Sequence, residues 1–109
     1  MQRLTKELKK KLIRNGETHR DHFPVVKFFD PCSTATWLIS EMDATDFDTF
    51  FGLCDLGMGF PELGYVSLSE LANVRNALGL NIERDFHFKA DKALSQYAEA
   101  ARVHQRIIT

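Results

Sequence analysis

Four of the chain's six glycines, Gly52, Gly57, Gly59 and Gly64, fall within thirteen residues, and they constrain the fold more than any other feature. Glycine loses more backbone freedom on folding than other residues, so a cluster is tolerated where φ must be positive or two backbones must meet closely. The stretch from Gly52 to Leu71 therefore reads as a fixed chain path whose glycines let Met58 and Phe60 tuck onto a sheet. It ends in Ser67-Leu68-Ser69-Glu70, which has the Ser-x-x-Glu form of a capping box. A helix is predicted over about 68–78, with Leu68, Leu71, Val74 and Leu78 buried and Gly79 ending it.

Upstream, Leu4, Leu8 and Leu12 recur at helical spacing after Thr5, predicting an amphipathic helix over about 6–14 that stops at Asn15-Gly16. Pro24 opens a β-branched and aromatic run, Asp30-Pro31-Cys32-Ser33 supplies a turn, and strands are predicted near 24–30, 35–42 and 49–54. In the second, Thr36, Leu38, Ser40 and Met42 alternate with Ala35, Trp37, Ile39 and Glu41; neither set is wholly polar, so both faces should be partly covered. Gly64-Tyr65-Val66 is a short extended piece, 83–88 an edge strand, and Ser95 the cap of a last helix near 96–105. Short turns between the strands make an antiparallel meander, so the expected fold class is a two-layer α+β domain. Its expected core is Leu8, Leu12, Phe28, Trp37, Ile39, Phe50, Leu53, Leu71, Val74, Leu78 and Tyr97.

At 109 residues with 44% hydrophobic content and nine phenylalanines, residues 1–109 are expected to form one domain with a genuine core. No apolar run approaches the ~20 residues that span a bilayer, which excludes a membrane partner and implies a cytoplasmic protein. Cys32 and Cys54 lie among apolar residues and read as reduced, half-buried thiols.

The net charge of −1 hides a segregation. Residues 1–27 carry a net +5, residues 28–74 contain no Lys or Arg and carry −8, and residues 75–109 return to +2. Two surfaces follow. Glu41, Asp43, Asp46 and Asp48 gather on a predicted hairpin turn and form a candidate docking site for a basic protein partner. Lys6, Lys9, Lys10, Lys11 and Arg14 line the first helix and form the alternative, a nucleic-acid contact. Clustered carboxylates repel duplex DNA and one short basic helix lacks a reading element, so weak or no DNA binding is expected at physiological salt.

Catalytic patterns are sparse. Asp55 and Glu62 flank the glycine loop and could form an acid/base pair, joined by His87, but no nucleophile elbow or zincin motif accompanies them. Gly57-Met58-Gly59 lacks the lysine and the following helix of a phosphate loop. His19 and His22 lack further metal ligands, and Asp43, Asp46 and Asp48 lack the sixth-position glycine and twelfth-position glutamate of a calcium loop. Neither a metal nor a cofactor is expected.

The segments Thr36-Trp37-Leu38-Ile39-Ser40-Glu41-Met42-Asp43 and Phe51 to Leu71, with Glu83-Arg84-Asp85-x-His87-Phe88 and Tyr97 to Arg102, resemble a bacterial family of small proteins of unknown function. The resemblance covers nearly the whole chain and assigns no catalytic residue. It implies carriage on plasmids, conjugative elements and phage-like islands, and a role in the maintenance, transfer or defence-evasion of mobile DNA. On that basis the expected function is a non-enzymatic interaction module, resembling anti-CRISPR inhibitors of a host effector nuclease. A nucleic-acid-binding accessory protein of plasmid maintenance or conjugation, and a small enzyme using Asp55, Glu62 and His87, are the alternatives.

Overall fold

The computed structural model describes residues 4–109. Helix α1 (Lys6–Gly16) begins at Thr5, whose Oγ1 accepts the Leu8 N–H at 3.2 Å. Leu4 and Leu12 are buried and Leu8 packs half-buried beside them, so the apolar stripe seats the helix. Gly16 remains helical. A Cβ there would lie 2.6 Å from the Met42 carbonyl oxygen, so the glycine lets the helix end rest directly on sheet backbone. Asn15 fixes the contact by donating from Nδ2 to the Ser40 carbonyl at 2.9 Å.

Strands β1 (Val26–Phe29), β2 (Thr36–Met42), β3 (Thr49–Asp55), β4 (Glu62–Ser67) and β5 (Glu83–Arg84) form one antiparallel sheet in the order β4-β3-β2-β1-β5. With helices packed on it, this is the α+β meander the turn chemistry predicts. The extended piece at 64–66 is a full six-residue edge strand. The strand expected over 83–88 stops after two residues, because Asp85 Oδ1 accepts the His87 N–H at 2.8 Å and turns the chain.

Both sheet faces are partly covered. Val26, Phe28, Trp37, Ile39 and Phe50 pack with Leu12 of α1 and Leu71 of α2 (Leu68–Asn73). Leu38 and Leu53 pack on the other face with Leu94, Tyr97 and Ala101 of α3 (Leu94–His104). Strict alternation along β2 fails at one point. A register shift between Ile39 and Glu41 inserts Ser40 as an extra residue, so Met42 joins the core of Trp37 and Ile39 instead of that of Leu38.

Helix α2 is shorter than the 68–78 pattern predicts. Val74 leaves the helix at φ −68°, ψ 133°, and both Val74 and Leu78 are exposed, Leu78 by 74%, so neither belongs to the core. Asn76 Oδ1 instead accepts the Leu78 and Leu80 N–H groups at 3.0 and 3.1 Å, and Gly79 at φ 75° closes a tight turn. Asparagine's competing side-chain acceptor ends the helical pattern before its periodicity does.

Both later helices are started from a distance. Asp48 accepts the Ser69 N–H at 2.9 Å and its hydroxyl at 3.0 Å, while Ser67 Oγ accepts the Glu70 N–H at 2.9 Å. In α3 the cap position is Ala93, not Ser95. Ser95 sits inside the helix and gives its N–H, at 3.0 Å, and its hydroxyl to Asp21. Asp21 thereby supplies the acceptor that alanine lacks. Among the described residues, no helix is long and apolar enough to cross a membrane.

Candidate interaction surface

The glycine loop leaves β3 at Asp55, which is only 2% exposed. Its Oδ1 accepts the Gly57 N–H at 2.8 Å and its Oδ2 the Ile107 N–H at 3.0 Å. Both carboxylate oxygens therefore hold backbone, tying the loop and the segment after α3 to one strand end. Gly57 and Gly59 stand at φ 79° and 88°, as a fixed path requires. The loop delivers the chain to a strand instead of a helix start. Leu56, Met58 and Phe60 point into solvent, Phe60 by 79%, so the expectation that Met58 and Phe60 tuck onto the sheet is corrected. Positive φ at two glycines turns the loop tip outward.

The three candidate catalytic residues have distinct surroundings. Glu62 is exposed at the start of β4, opposite Cys54. His87 lines a cavity of about 340 Å³ with Asp85, Lys89, Lys92 and Tyr97, and neither Asp55 nor Glu62 borders it. Tyr97 closes that cavity by donating its hydroxyl to Asp91 Oδ1 at 3.0 Å while accepting the Asp91 N–H at 3.2 Å. Burial pushes the Cys54 thiol up to about 11, which keeps it protonated at neutral pH. Cys32 lies exposed in the β1–β2 turn rather than half-buried, because the turn lifts it off the sheet.

The acidic turn between β2 and β3 is largely self-bonded. Asp43 Oδ1 accepts the Thr45 N–H and hydroxyl at 2.8 and 2.7 Å. Asp46 accepts the Thr49 hydroxyl at 2.6 Å and the Thr49 and Asp48 N–H groups at 2.9 Å each; these bonds, the Thr49 hydroxyl first, hold its carboxyl below the ordinary value of 3.8. Asp48 is committed to Ser69. The bonds brace Phe47, an exposed aromatic residue at φ 51°, a conformation that bulky side chains seldom adopt. Burial raises the Glu41 carboxyl, partly countered by the positive fields of His22 and His19.

Glu41 and Asp43 also line a groove of about 390 Å³ together with His19, Thr45, Phe51 and Tyr65, and Glu41, Phe51 and Tyr65 stand in one row across β2, β3 and β4. The Phe51 and Tyr65 rings lie 5.1 Å apart at 57°. Tyr65 is nonetheless 76% exposed, and Leu63, two residues earlier on the same face of β4, is exposed beside it. The acidic residues singled out from the sequence thus adjoin an apolar strip on an edge strand, which the sequence reading passed over. The signal was the alternation of Leu63 and Tyr65 about Gly64.

Lys6, Lys9, Lys10, Lys11 and Arg14 are all exposed along α1. His22 Nε2 shares a hydrogen bond with Thr18 Oγ1 at 2.9 Å, and among the described residues no three His, Cys, Asp or Glu side chains are grouped to hold a metal ion. The fold and this surface define a small antiparallel α+β domain with an exposed acidic and aromatic sheet edge. The chain belongs to the family described as Protein of unknown function (DUF2958), whose model matches residues 3–108. No curated protein and no solved structure matches it.

Proposed function

We propose that this protein is a non-enzymatic interaction module whose acidic and aromatic face, running from the β2–β3 turn to β4, docks on a basic protein. The observation that carries the reading is the groove that Glu41 and Asp43 line together with Phe51 and Tyr65, beside a strand and loop that also expose Leu63, Phe60 and Met58, all within a stretch free of Lys and Arg. Exposed apolar side chains supply contact area and hot-spot character, and carboxylates at the rim select partner charge and raise association rate. In its sharper form, the protein is a counter-defence factor of a mobile element that seats this face in the nucleic-acid groove of a host effector such as a CRISPR nuclease. The all-exposed basic side chains of α1 support a second reading, a nucleic-acid accessory role in plasmid maintenance or conjugation.

One pair of variants separates the two. The first carries Glu41→Gln, Asp43→Asn, Glu62→Gln and Glu70→Gln, sparing Asp46 and Asp48 because their carboxylates hold the fold. The second carries Lys6, Lys9, Lys10 and Lys11 changed to Gln. Each is expressed in a bacterium with an active CRISPR nuclease, and transformation by a targeted plasmid is counted. Rescue lost only in the acidic variant is the expected result. Loss only in the lysine variant, with salt-sensitive DNA binding in fluorescence anisotropy, would transfer the function to α1.

A further inference from the structure

Resting on the docking reading above, we propose that β4 accepts an extended, Lys- or Arg-bearing segment of the partner as a sixth strand of the sheet. The ladder itself shows which backbone groups are free. The Leu68 N–H donates to the Asp48 carbonyl at 2.8 Å, in register with Thr49 opposite Ser67, so residues 48 and 68 form a hydrogen-bonded pair. Such pairs alternate along an antiparallel ladder, so Glu62, Gly64 and Val66 turn their backbone toward β3. Leu63 and Tyr65 therefore turn their N–H and C=O groups outward, and among the described residues no hydrogen bond outside the strand ladders uses those four groups.

The side chains suit an added strand. Leu63 and Tyr65 stand exposed on one face, where alternate apolar residues of a neighbour would lie against them. On the other face, between Glu62 and Val66, Gly64 leaves a gap: a Cβ placed there meets nothing within 4 Å. Nothing inside the molecule requires a glycine at this position, and a strand glycine without internal cause marks room for an approaching chain. The edge also lacks the lysines with which exposed strands commonly repel neighbours.

Charge chooses the occupant. Glu62 is exposed on the strand itself, Glu41 and Asp43 wall the groove beside Tyr65, and Glu70 is exposed just beyond the strand's other end. A second copy pairing through β4 would bring the same carboxylates against one another, and nucleic acid offers phosphates where a cation is needed. A basic extended peptide satisfies backbone, apolar strip and carboxylates together, the strand-addition mode of peptide recognition.

The probe is a fluorescein-labelled hexapeptide alternating lysine with valine, titrated with the full chain by fluorescence anisotropy. Companion peptides carry N-methyl groups on alternate amides in each of the two frames, and a further one replaces the valines by proline. Methylation in the frame facing β4 should weaken binding at least roughly tenfold, and the other frame should leave it nearly unchanged. Tyr65→Pro, which removes both the outward N–H and the ring, should abolish binding, while Tyr65→Thr, which removes the ring and keeps the N–H, retains part of it. Bound peptide should slow hydrogen exchange at Leu63 and Tyr65. Equal binding by both methylated peptides, or by the proline peptide, would overturn strand addition while leaving the acidic docking face standing. Binding unaffected by the Glu41, Asp43, Glu62 and Glu70 amide variant would instead remove the charge selection on which the docking reading rests, and with it the basic occupant. Absence of binding by every peptide, or a dimer of the protein alone that Tyr65→Pro dissolves in sedimentation, would overturn the proposal outright.

Discussion

At one margin of the sheet, β5 pairs through only two residues, Arg84 with Phe28 and Glu83 with Phe29, before Asp85 turns the chain away. Lys27 stands 3.8 Å from the Asp85 carboxylate, and the Arg84 guanidinium lies 4.3 Å from the Phe86 ring centroid. At the other margin, β4 runs for six residues with no basic side chain and with Leu63 and Tyr65 in solvent. Natural sheets blunt their edges with short strands, charges and turns. One edge follows that practice and the other departs from it, and that departure is what the strand-addition proposal builds on.

The largest contrast in stability lies between two glycines that face each other across β3 and β4. A Cβ at Gly52 would lie 2.1 Å from the Leu38 carbonyl oxygen, whereas one at Gly64 meets open space. Gly52→Ala should cost about 3 kcal/mol, because the obstacle is backbone. Gly64→Val should change stability by less than about 0.5 kcal/mol. Urea unfolding followed by circular dichroism measures both, and similar losses would show that β4 is as internally constrained as β3. Next come the glycines of the loop feeding β4. Gly57→Val and Gly59→Val should each cost about 1–2 kcal/mol through positive φ, Gly57 the more, since its Cβ would also lie 2.6 Å from Thr34 Oγ1. Unchanged melting in both would break the claim that the loop is held.

Asp85→Ala tests the protected edge. It removes the His87 N–H acceptor and the Lys27 partner and should cost about 1 kcal/mol. Amide exchange at residues 83–88 should quicken while β4 is unaffected. The smallest effect is pH-dependent. Because hydrogen bonds lower the Asp46 carboxyl below 3.8, its contribution is complete above that value and fades as pH falls through the lowered one. The melting difference between the parent and Asp46→Ala should therefore shrink below about pH 3.8. A difference that grows there would reverse the assignment.

Much of the architecture was legible because it rests on local chemistry. The Leu4-Leu8-Leu12 stripe, the β-branched runs and the Asp-Pro turn each act over a few residues, and α1 and the first three strands follow. What escaped depends on contacts between distant residues. Val74 and Leu78 have helical spacing, yet the Asn76 turn takes precedence; Ser40 bulges out of an alternating strand; α3 starts at Ala93, with Asp21 of another loop accepting from Ser95 in its first turn. For the interaction surface, composition exposed the charge segregation, and the roles of individual carboxylates stayed hidden. Asp48 looks like a loose turn residue in sequence and is a helix cap in space, whereas Tyr65, read only as part of a short extended piece, stands on the surface of a full edge strand.

The aspartate clamps on Ser69 and Ser95 also set an order of assembly. A six-residue segment such as α2 is far below the roughly 12 residues at which an isolated helix becomes marginal in water. Its first turn is completed by Asp48, a residue positioned only once the β2–β3 hairpin exists, and α3 waits in the same way on Asp21, 74 positions earlier in the chain. Both helices are therefore expected to form with, not before, the contacts that place Asp48 and Asp21. A peptide cut out to represent either should be coil, and the whole chain should gain its helical signal together with its tertiary signal rather than ahead of it.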